Sequence, residues 1–239
     1  WRLKRPSTNE LIVGVGAFYS VTRKTRFVGS AFCFNNEGVF KGFDCFRSQD
    51  ATSLAGSIRE AVAKFIAVNY KATRLIIHFY KDISKKELEP IMQTLHTLGL
   101  NIPVVIVTVN KTESKSIIGF DTLSKELMPQ SGTYIKIGNN EYLLFNNTRY
   151  DENSKPADKE YHFPLKLNLS SSIPNYFDDP AVAKQLIDQV FQFSRMYWKS
   201  TNQQSLPVTI KYPEMVAQIY PYFTYDKLAD FGKENLWFL

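Results

Sequence analysis

Residues 11–47 read LIVGVGAFYSVTRKTRFVGSAFCFNNEGVFKGFDCFR. Three runs rich in Val, Phe and Ile, 11–20, 27–35 and 38–47, are separated by an Arg/Lys/Thr cluster and by Asn35-Asn36-Glu37-Gly38, a strong hairpin signal. The pattern predicts three consecutive antiparallel strands. The period then changes. Over 50–70 the residues Leu54, Ile58, Val62, Phe65 and Ile66 share one helical face behind a polar Gln49-Asp50 entrance, which predicts a helix of about five turns. Residues 74–80 read as a buried strand, 84–98 as a helix closed by Gly99, and 102–109 as a second apolar strand. That strand-helix-strand alternation pairs its strands in parallel. An α/β fold with a mixed central sheet flanked by helices follows.

Downstream, Gly132-Thr133 opens a strand pair at 134–137 and 141–145, followed by a polar loop over 146–160 and a strand at 162–169. A long amphipathic helix spans 179–197, capped at Asp178 or Asp179 with Pro180 in its first turn. A final helix covers 212–225, and Pro221 kinks or ends it. With no internal repeat or low-complexity tract, the 239 residues read as one domain, 1–239, large enough for one substantial core.

The 29 Lys and Arg exceed the 23 Asp and Glu by six. Most of that excess lies in residues 1–30, where Arg2, Lys4, Arg5, Arg23, Lys24 and Arg26 face Glu10 alone. Such a cluster suits either a solvated hairpin rim or a phosphate-facing patch. Cys33 and Cys45 sit in strand-like runs, with the spacing of neither a disulfide framework nor a metal site, so a reduced cytoplasmic setting is expected. No apolar run approaches about 20 residues and no signal-peptide pattern opens the chain, which predicts no membrane association. The chain starts at Trp1, as an excised or processed piece of a longer protein would.

Enzyme chemistry of other kinds is thinly represented. His78 lies inside an apolar strand and His96 on a helix, both as structural histidines do. There is no phosphate-binding Gly-Lys-Ser/Thr loop, and Gly14 and Gly16 precede a second strand rather than a helix, which excludes a dinucleotide fingerprint. The richest remaining stretch is 197–218, YWKSTNQQSLPVTIKYPEMVAQ. Tyr197 and Ser205 hydroxyls can donate to phosphate oxygens, while Lys199 and Lys211 supply charge.

This stretch resembles the C-terminal signature of Argonaute PIWI domains. In that family an aromatic and a basic residue (Tyr197, Lys199) run into Ser-apolar-Pro (Ser205-Leu206-Pro207). A short extended piece follows, then an aromatic residue (Tyr212) and a helix whose early position holds a metal-binding His. Here Glu214 takes that position. Three antiparallel strands followed by strand-helix-strand is also the order of the ribonuclease H fold, which PIWI domains have. The resemblance implies a ribonuclease H-like PIWI fold throughout the chain, as the C-terminal part of a longer MID-PIWI protein.

Cutting members of the family use two divalent cations held by carboxylates and commonly a His. The first carboxylate comes from the central first strand in a Gly-apolar-Asp pattern. Gly14-Val15-Gly16 places Gly16 there. The second follows the next central strand and is retained as Asp82 in Phe79-Tyr80-Lys81-Asp82. Asp50 or Glu60 would match a helix-entry acid. With Gly16 and Glu214 in place of Asp and His, the resemblance implies a broken catalytic set and no enzyme. The altered positions look like those of short prokaryotic Argonautes.

By that likeness the chain would bind a guide RNA or DNA and its complementary single-stranded DNA or RNA target. It would report recognition, in prokaryotic defence, to an APAZ-containing effector protein with a TIR or Sir2 domain. The guide's first phosphates would lie beside Tyr197, Lys199, Ser205 and Lys211, with Asn110 and Lys111 as a second approach. The α-carboxylate of Leu239 would join Mg²⁺ at the guide 5′-phosphate. The apolar Leu236-Trp237-Phe238-Leu239 end is expected to tuck against a neighbouring domain. Two other readings remain open: an active guided endonuclease using Asp82 and Glu214 with an unassigned acid, and a PIWI-like protein-interaction scaffold whose basic start docks an acidic partner.

Overall fold

A computed structural model describes residues 3, 9–21, 24–35, 37–47, 51–68, 72–125, 127–146, 163–197, 199, 206–223 and 230–239. The strands are β1 (Glu10–Ser20), β2 (Thr25–Phe34), β3 (Gly42–Arg47), β4 (Arg74–Phe79), β5 (Val104–Asn110), β6 (Thr133–Gly138), β7 (Glu141–Phe145) and β8 (Leu165–Ser171). They form one mixed sheet in the order β3-β2-β1-β4-β5-β8-β7-β6. β1 pairs antiparallel with β2 and parallel with β4, and β4 pairs parallel with β5. The helices are α1 (Ala51–Val68), α2 (Lys85–Thr97), α3 (Lys111–Ser114), α4 (Pro180–Ser194), α5 (Val208–Ile219) and α6 (Asp230–Lys233).

Alternation along β1 assigns the two faces. Leu11, Val13 and Val15 point into a core shared with Leu54, Ile58 and Val62 of α1 and Ile91 and Leu95 of α2. Ile12 points the other way, into a core built with Leu186, Val190 and Phe193 of α4 and Val208, Ile210 and Val216 of α5. The fully buried run Arg74–Phe79 is covered on both faces, as a parallel strand between helical layers must be.

One charge pair is sealed inside this frame. Glu10 is 0% and Arg74 5% exposed. Arg74 Nε donates to Glu10 Oε1 at 2.8 Å, and its two Nη atoms reach the Tyr176 hydroxyl at 3.3 Å and Gln185 Oε1 at 2.9 Å. Gln189 Nε2 donates to Glu10 Oε2 at 3.1 Å. The pair therefore ties the start of β1 to β4 and to α4.

Local chemistry explains where elements depart from the sequence reading. β3 begins at Gly42 rather than at 38, because the Asn35 side chain accepts from the backbone N–H groups of Glu37 and Val39 and folds the segment into a turn. Asp179 caps α4 through Ala181 N at 2.9 Å, with Pro180 as the first helical residue, as expected. The extended piece expected after Pro207 is instead the first turn of α5. Pro221 does end that helix, which passes into a 3₁₀ turn at Tyr220–Tyr222.

Candidate nucleic-acid interface

The Val208-Thr209-Ile210 run has strand-forming side chains, yet it is helical because α5 lies directly on the glycines of β1 and β2. Pro213 lies inside α5 and has no N–H to give to the Thr209 carbonyl. That oxygen lies against Gly14, where a Cβ would stand 1.8 Å from it. A Cβ on Gly16 would be 2.6 Å from the Ile210 carbonyl oxygen and 2.9 Å from Glu214 N. One on Gly29 would be 2.3 Å from the Pro213 carbonyl oxygen. Backbone meets backbone at three places, and no side chain fits between.

The sequence signal for this seat was the recurrence of glycine at alternate positions of a strand, which marks close approach of another backbone. His78 and Thr209, far apart in sequence, are partners beneath the same helix. Both are fully buried, and His78 Nδ1 lies 2.7 Å from Thr209 Oγ1. Burial pushes the His78 pKa from 6.5 down to about 4, with Gln189 opposing the shift.

A depressed folded-state pKa means that the unfolded chain takes up the proton first. Stability due to His78 is therefore complete above pH 6.5 and is lost as pH falls toward 4, by up to about 3 kcal/mol. Denaturation midpoints of the chain and of His78→Gln across that window check this: the slope with pH should be shallower in the variant.

On its outer side, α5 carries the cationic group of the site. Lys211 Nζ sits 3.8 Å from the centroid of the Tyr197 ring, a cation–π contact that holds the ammonium beside the end of α4. Tyr197 packs on Tyr212 at 6.3 Å between ring centroids, and Tyr212 meets Phe238 edge-on at 5.6 Å. Burial, with Tyr197 nearby, raises the Tyr212 pKa to about 12, so its hydroxyl stays protonated at neutral pH. Lys199 is exposed beside this group in sequence. Ser205, Asp50 and the basic residues Arg2, Lys4, Arg5 and Arg23 lie outside the described residues.

The apolar C-terminal segment docks on this same chain. Phe238 fits edge-on between Phe43 of β3 and Tyr212 of α5, and Trp237 packs against Phe223 and donates to the Gly232 carbonyl at 2.9 Å. Leu239 is half-buried and packs against the same core. Tyr197 and Phe238 thus meet Tyr212, and Lys211 lies over Tyr197.

The other expected positions are dispersed. Asn110 caps α3, its side-chain oxygen accepting from Thr112 N and Glu113 N at 3.1 Å each, so that oxygen is committed to the backbone. Lys111 is the first residue of that short helix. Gly16 and Glu214 are brought together by the helix seat. Asp82 is exposed beyond the end of β4, next to a Lys81–Glu87 ion pair of 2.9 Å. Glu60 is on α1, across the sheet from Gly16, paired with Lys64 at 3.0 Å. Among the described residues no three His, Cys, Asp or Glu side chains gather as a metal site.

The layered sheet with α5 across its first strands superimposes on solved Argonautes. The Marinitoga piezophila Argonaute in complex with a 5′-OH guide RNA matches 87% of this chain at a TM-score of 0.60 and 16% identity. The same Argonaute with guide RNA and target DNA gives 0.59 and 15%. Aa-Ago with externally bound siRNA covers 92% of the chain at 0.59 and 13%. The chain carries the Argonaute PIWI fold. A Piwi protein of Archaeoglobus fulgidus is 24% identical over 186 residues, 72% of this chain. The chain spans 42% of that relative and 29–30% of the solved Argonautes. No family model matches the sequence. None of the described helices is long and apolar enough to cross a membrane. Within this PIWI fold, Gly16 and Glu214 are neighbours across the α5 seat, whereas Asp82 and Glu60 lie apart from it.

Proposed function

We propose that this PIWI unit holds a guide strand paired to its complementary target without cutting it, and passes recognition on to a separate effector protein. The observation that carries the non-cutting part is the backbone of α5 standing where a side chain at position 16 would project. A carboxylate cannot be offered from that strand without displacing the helix, and bridging two cations needs one there. Holding the strand needs no cleavage acid. The Lys211 ammonium over Tyr197, with exposed Lys199, supplies the charge that phosphates require.

Supporting the same reading, the Marinitoga piezophila Argonaute that shares the fold was solved with guide RNA and with guide RNA plus target DNA. Base pairing would carry sequence specificity, while the protein would read backbone and duplex shape. The rest of the 5′-phosphate pocket would come from a MID domain of the same protein. The effector would be an APAZ-containing partner with a TIR or Sir2 domain, as the likeness to short prokaryotic Argonautes suggests. By the same likeness, the α-carboxylate of Leu239 would supply one oxygen ligand to Mg²⁺ at the guide 5′-phosphate.

Two measurements test this reading. With Mg²⁺ or Mn²⁺ a guide-matched target should stay intact, and cleavage abolished by Asp82→Asn would overturn the non-cutting assignment. A Lys199→Ala, Lys211→Ala double variant should reduce the slope of log affinity against log salt by about 1.4, two single-strand phosphate contacts. An unchanged slope and affinity would favour a protein-binding scaffold instead.

A further inference from the structure

The α5 helix has an unusual foothold. Its N-cap is Pro207, with no side-chain cap bond, and Pro213 deprives the Thr209 carbonyl of its usual helical partner. Beneath it, Gly14, Gly16 and Gly29 present bare backbone, which allows close approach; the side chains around that seat are apolar, so they resist separation but carry no directional bond. A directional contact is present at one fully buried point, Thr209 Oγ1 to His78 Nδ1 at 2.7 Å.

His78 is itself fixed. β4 holds its backbone in register with Gly14 on one side and Val107 on the other, and the Phe193 ring of α4 stands perpendicular to the imidazole at 5.8 Å. Thr209 and Lys211 are two residues apart on α5, so a turn of the helix about its axis that breaks the buried bond also swings the ammonium off the Tyr197 ring. The inner bond and the outer cation are one rigid setting.

Resting on the proposed strand-binding role, we infer that the His78–Thr209 bond is a positioning device for that role, fixing α5 so that Lys211 faces the phosphate of the bound strand. Neither residue touches the strand. Thr209 acts through the helix, and His78 is its anchor in the sheet.

The test uses the full-length protein and a 5′-phosphorylated single-stranded oligonucleotide, as RNA and as DNA, at a temperature where circular dichroism shows each variant folded. Thr209→Val keeps the shape and removes the hydroxyl. It should lower affinity and reduce the salt slope by about 0.7, one phosphate contact, while Thr209→Ser keeps the wild-type slope. The combined Thr209→Val, Lys211→Ala variant should lose no more than Lys211→Ala alone, since both changes remove the same contact. A wild-type slope in Thr209→Val, or additive losses in the double variant, overturns the inference. If Thr209→Val does not fold, Thr209→Cys, with only a weak S–H donor, takes its place under the same criteria. If the unmodified full-length protein binds neither oligonucleotide, the strand-binding role fails instead.

Discussion

Gly16→Asp should yield a chain that is destabilised and still does not cut. In a fold where an Asp at this strand position is the usual first metal ligand, restoring the acid is the obvious repair. Here its Cβ would lie 2.6 Å from one backbone atom of α5 and 2.9 Å from another, and neither is a flexible side-chain end that could swing aside. The helix has to move as a body, giving up contacts of Val208, Ile210 and Val216 with the sheet. The expected cost is about 3 kcal/mol or more, the upper end of overpacking in a filled core. Gly16→Ala separates volume from charge and should show most of the loss. Urea midpoints read the stability, and a guide-matched substrate with Mn²⁺ reads the cleavage. A Gly16→Asp chain of native stability that cuts would refute both the steric account and the proposed function.

Arg74→Met should cost about 3–5 kcal/mol, the second large effect, by stranding the Glu10 carboxylate at 0% exposure without its guanidinium. Gln185 and Gln189 reach Glu10 with amide N–H groups, but amide dipoles do not replace a full positive charge. Adding Glu10→Gln to Arg74→Met removes the stranded charge and should recover much of the loss, because an unpaired buried ion, more than a missing ion pair, is what destabilises. Equilibrium unfolding of the two single variants and the double one gives the coupling. A loss below about 1 kcal/mol for Arg74→Met alone would mean that water reaches the pair, contrary to its burial.

The order of the eight strands and of α1, α2 and α4 was legible from local signals. The hairpin around Asn35, the amphipathic face of α1, Gly99 after α2 and the Asp179-Pro180 entrance to α4 are local signals, and local physics decides them. The start of α5 was not legible, since Val208, Thr209 and Ile210 favour a strand and nothing nearby in sequence says that glycines of β1 will receive them. In the candidate site, the Lys211 ammonium lies over the Tyr197 ring, a contact between α5 and the end of α4 that residue type alone does not specify. The Asn110 cap was not legible, because a polar residue after a strand looks available, whereas its side-chain oxygen closes the amides of α3. Long-range contacts made by backbone atoms leave almost no trace in residue type beyond the glycine that permits them.

The glycine seat also sets a schedule for folding. β1 precedes β2 and β4 in the chain, and the helix that covers Gly14 and Gly16 comes only with residues 208–219. On the ribosome, the hairpin of β1 and β2 and the parallel pair with β4 can assemble while that patch of bare strand still faces solvent. Closure waits for a segment distant in the chain, which is the pattern of a high-contact-order, slow-folding molecule. Until then an uncovered sheet face is presented to the cell, and a chaperone that shields apolar strands would act in that interval.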